Sequence, residues 1–135
     1  MTGRSQRKKI EASRCNDFYI VAENFYQGAK VASDYAYYNA AGVLIVHSAI
    51  AYSDAICIKN KGVKIQGENH YEVISLLDDI ITHSEEKKKA LNHLKNIIDH
   101  KNSVSYSGEV YHKKDIESLW KQLDRFKFWA EQLLR

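Results

Sequence analysis

The segment His100–Gly108 brings a cation, an amide, several hydroxyl groups and a glycine together within nine residues. It begins where an amphipathic helix is predicted to end, and helical proteins usually position reactive groups at such rigid ends. These groups could hold an anion or a partner, but a capped helix end also explains them. The helix dipole favours the charge of Lys101, Asn102 can end the helix in a left-handed conformation, and Ser107-Gly108 predicts a turn.

A second set of polar side chains falls in the helix predicted over residues 37–60. Asn39, His47 and Asp54 lie within one face about 80° wide at 100° per residue. The helix is otherwise apolar, and no Asp, Glu, Lys or Arg occurs between Asp34 and Asp54. Buried polar groups need partners, so these three either bond to neighbouring helices or line a groove or dimer interface.

Metal and cofactor chemistry has no signature in the chain, and we expect neither. No histidine pair has the i, i+4 spacing of a zinc-binding helix with an acidic residue to complete the ligand set. There is no glycine-rich phosphate loop and no local motif of a nucleophilic serine or cysteine. The two cysteines, Cys15 and Cys57, match no metal or redox spacing, so we expect both to be reduced.

Apolar residues at helical spacing predict an all-α, up-and-down bundle of about five helices. Thr82 and Glu85 resemble a capping box that opens the fourth helix, and the run from Glu85 to Lys89 predicts a solvated first turn. Val63–Ile65 is too short to predict a strand, and a loop is expected from Asn102 to His112. The remaining helices are predicted over 16–34, from 69 to about 81, and from about 113 to 134.

The chain of 135 residues carries a formal net charge of +3 and predicts one domain, residues 15–135, preceded by a basic arm at 1–14. The arm is either solvated or contacts nucleic acid or a partner. No apolar segment follows its basic start, so we expect a cytoplasmic protein. The apolar second helix is interrupted by polar residues and predicts the buried centre of a bundle rather than a membrane span. The arm's cations are Arg4, Arg7, Lys8, Lys9 and Arg14.

Two pieces of sequence, in this order of helices, resemble a known family. Residues 101–108 follow the pattern Lys-Asn-x-x-x-Tyr-x-Gly, and residues 126–129 follow Phe-x-x-Trp within the last helix. Together with the helix order over residues 16–134, they resemble the HEPN ("higher eukaryotes and prokaryotes nucleotide-binding") domains. The resemblance implies a bundle of four or five helices that forms a homodimer.

HEPN domains often occur in toxin–antitoxin and defence systems beside a minimal nucleotidyltransferase, which the resemblance implies as a partner. Active members are metal-independent ribonucleases that use an arginine and a histidine across a dimer groove. By this resemblance Lys101 stands at the arginine, Asn102 at the polar residue that follows it, and Tyr106 at the histidine. Both catalytic positions therefore depart from the family pattern.

The departures weaken catalysis, because an ammonium grips phosphate less specifically than a guanidinium and a tyrosine is a poor base near pH 7. We therefore expect a non-catalytic module that binds a nucleotide, RNA or a partner through Lys101, Asn102 and Tyr106, with Asn39, His47 and Asp54 as further candidates. The alternative is an endoribonuclease that uses Lys101 with Tyr106 or with a histidine from elsewhere. A third hypothesis makes Tyr106 the target of nucleotidyl transfer by the partner.

Overall fold

The computed structural model describes residues 7–135 and confirms the all-α bundle. Five long α-helices, one short α-helix and a 3-10 turn (Ala12–Arg14) pack together, and a pair of three-residue strands lies against them. The helices are α1 (Cys15–Asp34), α2 (Tyr38–Lys61), α3 (Tyr71–Ile80), α4 (Glu85–Ile98), α5 (Lys101–Ser105) and α6 (Lys113–Leu134). The strands are β1 (Arg7–Lys9) and β2 (Val63–Ile65).

Helix α2 forms the centre of the bundle and packs against α1, α3, α4, α5 and α6. It is long and apolar enough to pass for a membrane span, and 83% of its most apolar stretch is buried among the other helices. Small residues allow close packing: a Cβ added at Gly42 would lie 2.5 Å from Cγ2 of Val104 in α5. Gly42 therefore lets α5 lie directly on α2.

The ends of the helices correct two details of the sequence interpretation. The side chain of Ser84, rather than Thr82, caps α4 by accepting the backbone N–H of Lys87 at 3.0 Å. Lys87 itself is buried, and its Nζ donates to the carbonyl oxygens of Asp78 and Ile81 at 3.1 Å each. The prediction that this charged run is solvated is therefore wrong for Lys87, because its ammonium satisfies carbonyl groups at the end of α3.

The short strands were not predicted, since three residues carry too little alternation to be recognised. β1 pairs with β2 in antiparallel register, with Lys8 opposite Lys64, and the N–H of Ile10 donates to the carbonyl of Gly62 at 2.8 Å. Gly62 ends α2 with a φ of +64°, a left-handed conformation that favours glycine. Residues 7–10 of the basic arm therefore run along the bundle, while Arg4 lies outside the described residues.

Asp54 links α2 to this strand pair. Its carboxylate is 7% exposed, and Lys64 on β2 lies 3.8 Å from its Oδ2. Burial raises the pKa of Asp54 to about 7, although the charge of Lys64 opposes that shift. Burial dominates because the ion pair is long and the carboxylate is removed from water.

The raised pKa of Asp54 predicts a loss of stability as the pH rises. The folded protein keeps the carboxyl protonated to a higher pH than the unfolded chain does, so folding takes up a proton between about pH 4 and 7. That contribution, on the order of 4 kcal/mol, is present near pH 4 and lost as the pH passes 7. Urea unfolding should therefore show Asp54→Asn gaining stability relative to the parent as the pH rises from about 4 to 8.

A matched control is Asp79→Asn, which changes an exposed carboxylate on α3. It should leave the parent's pH dependence of unfolding in place. A stability difference between Asp54→Asn and the parent that stays constant from pH 4 to 8 would contradict the assignment.

Candidate functional site

The segment after α4 is more ordered than the predicted loop. Residues 101–105 form α5, and Asn102 lies inside this helix rather than ending one in a left-handed conformation. Gly108 adopts the positive φ, at +77°, in the turn that follows. Val104 is buried against Gly42 of α2, so α5 presents Lys101 and Asn102 from a fixed position.

Asn39 secures the other side of this segment. Its Nδ2 donates to the carbonyl oxygens of Val104 at 3.0 Å and Glu109 at 2.9 Å, while its Oδ1 accepts the N–H of Tyr111 at 2.8 Å. Tyr111 is buried, and its hydroxyl lies 2.7 Å from Nδ1 of His100. The amide of Asn39 is therefore hydrogen-bonded to the backbone of neighbouring segments. Of the two alternatives for the polar face of α2, bonding to neighbours rather than lining a groove applies to this residue.

A small cleft lies between the residues that precede α3 and the junction of α4 with α5. Its volume is about 120 Å³, which suits one phosphate group better than a whole drug-sized ligand. We call it the Lys101 cleft. It is lined by Glu68, Asn69, His70, Tyr71, Ile98, Asp99, Lys101 and Asn102.

Lys101 supplies a positive charge to this cleft. Its side chain is half-buried and forms no ion pair with any residue in the described range 7–135. Burial lowers the pKa of His70, and the charge of Lys101 lowers it further, with smaller contributions from His47 and Lys64. His70 is therefore neutral at pH 7, with one ring nitrogen able to accept a proton.

His47, on the exposed side of α2, belongs to the same electrostatic group. Burial is the main cause that lowers its pKa, and the charge of Lys101 adds to the effect. Its ring packs against Phe25 of α1 at a centroid distance of 5.7 Å. The two histidines thus both report the positive potential around Lys101.

The cleft also contains two acidic residues, Asp99 and Glu68. Asp99 accepts the hydroxyl of Tyr71 at 2.6 Å and the ammonium of Lys95 at 3.1 Å. The hydrogen bond from Tyr71 is the main cause that lowers the pKa of Asp99, so this carboxylate stays charged and bonded. Glu68 also lines the cleft and raises the pKa of His70, so it opposes the positive potential in part.

The sequence candidates separate into different places. Lys101 and Asn102 share the cleft, with His47 electrostatically coupled to it, whereas Tyr106 is 81% exposed and does not line it. Asp54 pairs with Lys64 and Asn39 holds the α5–α6 connection, so neither lines the cleft.

The sequence interpretation chose only Lys101 and Asn102 among the eight cleft residues and missed, among others, His70 and Tyr71. They start α3, where Oδ1 of Asn69 accepts the N–H of Tyr71 at 3.2 Å. The sequence shows a histidine at the start of the third helix, but it could not show that this helix start lies against the end of α4. Among residues 7–135 no three His, Cys, Asp or Glu side chains are grouped so that they could hold a metal ion.

Comparison with known proteins leaves the resemblance as it stood. No protein-family model, no curated protein and no solved structure matches this chain. The HEPN resemblance therefore remains a prediction that rests on the two sequence pieces and the helix order, beside the geometry of the Lys101 cleft.

Proposed function

We propose that this chain is a HEPN-like module that binds a phosphate group of a nucleotide or RNA in the Lys101 cleft without cleaving it. The observation that carries the proposal is the half-buried ammonium of Lys101, which has no ion pair within residues 7–135 and lines a cleft the size of a phosphate. An anion there would gain a charge-assisted hydrogen bond and would offset the positive potential that lowers the pKa of the neighbouring histidines.

Neighbouring groups suit the same ligand. The amide of Asn102 and the imidazole of His70 also line the cleft and can donate hydrogen bonds to phosphate oxygens. Binding an anion would raise the pKa of His70, so a protonated imidazole would strengthen the complex as the pH falls. Phosphate affinity should therefore be greater at pH 6 than at pH 8.

Cleavage is the second candidate, and the neutral state of His70 favours it. A neutral imidazole beside a cation can take a proton from a ribose hydroxyl, and the cation can stabilise the charged phosphorane. The leaving oxygen, however, needs a proton donor on its far side, and Tyr106 does not line the cleft. We therefore propose binding as the function. Cleavage of RNA that depends on this cleft would assign the chain a catalytic function instead.

Replacing Lys101 by alanine tests the binding proposal. Loss of a charge-assisted hydrogen bond costs about 1.5–3 kcal/mol, so uridine monophosphate should bind Lys101→Ala at least about ten times more weakly. Isothermal titration calorimetry at low salt measures the affinity. Lys121→Ala, a change of an exposed lysine on α6, is the control and should bind like the parent.

Equal affinity of Lys101→Ala and the parent would overturn the proposed site. The same proteins should leave a single-stranded RNA intact over hours. Cleavage by the parent that is lost in both Lys101→Ala and His70→Ala would instead assign the chain to the ribonucleases.

We also propose that the chain forms a homodimer through the face where α1 and α2 lie side by side. Ala40 and His47 on α2 are exposed, Val43 and Leu44 are half-buried, and Val21 on α1 is 43% exposed. The absence of charge on α2 before Asp54 suits an interface with a second copy. By the resemblance, a minimal nucleotidyltransferase is a further proposed partner, with the exposed Tyr106 as its target.

The dimer proposal predicts that Ala40→Glu is a monomer. A twofold interface contains each residue twice, so one substitution buries two unpaired carboxylates. Sedimentation velocity at micromolar concentration should show a dimer for the parent and for the control Ser118→Glu, an exposed position on α6. A parent that sediments as a monomer would contradict the proposal.

A further inference from the structure

The paired strands β1 and β2 carry more positive charge than their stability requires. Arg7, Lys8 and Lys9 are consecutive and exposed, and Lys64 is the central residue of the partner strand. We call these two strands, Arg7–Lys9 and Val63–Ile65, the basic ribbon. One lysine on an edge strand is enough to discourage pairing with the strand of another chain. The three consecutive cations of β1 are more than this protection requires.

The register makes this arrangement unfavourable without an anion. Lys8 stands directly opposite Lys64, and like charges at opposed positions destabilise a strand pair. Lys64 is partly compensated by Asp54 at 3.8 Å, whereas Lys8 forms no ion pair with any residue of the range 7–135. An anion over the ribbon would remove this repulsion.

The ribbon is electrostatically continuous with the Lys101 cleft. Lys64 and Lys101 both act on His70, and four residues, 66–69, join β2 to the rim of the cleft. Glu68 is the acidic residue in that connection. Cations therefore lie on β1, β2 and α5, and the cleft end of this path also carries the carboxylates of Glu68 and Asp99.

The rim of the cleft also offers an aromatic surface. Tyr71 lines the cleft and is 45% exposed, while its hydroxyl is held by Asp99. A fixed, exposed ring beside a line of cations is the combination that proteins use to hold single strands, by stacking one base and tracking the backbone. Paired bases in a duplex could not stack on it in this way.

We propose that the basic ribbon is a second phosphate-binding site, and that one single-stranded polynucleotide spans the ribbon and the Lys101 cleft. The inference rests on the proposed function for its first site and adds a ligand class, since a mononucleotide fills the cleft alone. The ribbon contributes Lys8 and Lys64, which share one face of the strand pair, with Lys9 adding positive charge from the other face, and the cleft contributes Lys101. Tyr71 stacks a base between the two.

A double substitution, Lys8→Ala with Lys9→Ala, tests the ribbon. We expect it to weaken binding of a fluorescent oligouridylate of about 12 nucleotides at least about tenfold at 50 mM salt, and to leave uridine monophosphate binding unchanged. The slope of log affinity against log salt should fall in magnitude by about 0.7 for each lysine that contacts phosphate. Fluorescence anisotropy measures both quantities.

The chain provides a matched control in Lys88→Ala with Lys89→Ala, an adjacent pair of exposed lysines on α4. This pair removes the same charge away from the ribbon and should leave oligouridylate affinity within about twofold of the parent. Equal losses from the two pairs, or an oligouridylate that binds no tighter than the mononucleotide, would overturn the ribbon site. A polyglutamate of matching charge that binds as tightly as the oligouridylate would overturn the assignment to a polynucleotide.

The two proposals fail in different ways. Mononucleotide binding that depends on Lys101, without a gain from oligonucleotide length, leaves the cleft standing and removes the ribbon. Oligonucleotide binding that depends on Lys8 and Lys9 but is unaffected by Lys101→Ala supports the ribbon as a polynucleotide site and removes the cleft.

Discussion

The burial of α2 is the constraint on which the rest of the structure depends. This helix carries no formal charge from Tyr38 to Ser53, and covering its apolar surface brings five other helices against it. The close contact of Gly42 with Val104 fixes α5 on α2, and α5 in turn holds Lys101 at the cleft. The site is therefore positioned by core packing that itself contains none of the reactive groups.

The polar residues of α2 differ in how well their side chains are paired within this packing. Asn39 and Ser48 bond to backbone carbonyls of α5 and α1, so they fix neighbouring segments in place. Asp54 is the exception, since its long contact with Lys64 leaves a buried carboxyl with a raised pKa at the foot of the basic ribbon. The protein retains an electrostatic cost at this position, close to Lys8, which forms no ion pair within residues 7–135.

Much of the fold could be predicted from the sequence because helical periodicity is a local signal. The bounds of α2 were expected within one residue, at 37–60 against the observed Tyr38–Lys61. The strands were not predicted because three residues are too few to show a period of two. Helix α5 was not predicted because five residues contain too few apolar positions to show a helical period.

The candidate site was predictable only in part, because a site is made by residues distant in sequence. Lys101 and Asn102 were found from the polar segment that contains them, yet His70 reaches them through tertiary packing. Tyr106 was chosen by resemblance, and it is not among the residues that line the cleft. Asn39 was recognised as a polar residue on an apolar helix, but its partners could not be identified from one sequence.

The positive potential of Lys101 is the central claim, and the titration of the histidines tests it most directly. Proton NMR of the ring C–H groups should give both His47 and His70 a pKa below the ordinary value of 6.5. Both pKa values should rise in Lys101→Ala and stay unchanged in Lys121→Ala. Two histidines that titrate at 6.5 or above, and do so identically in the parent and in Lys101→Ala, would contradict the account.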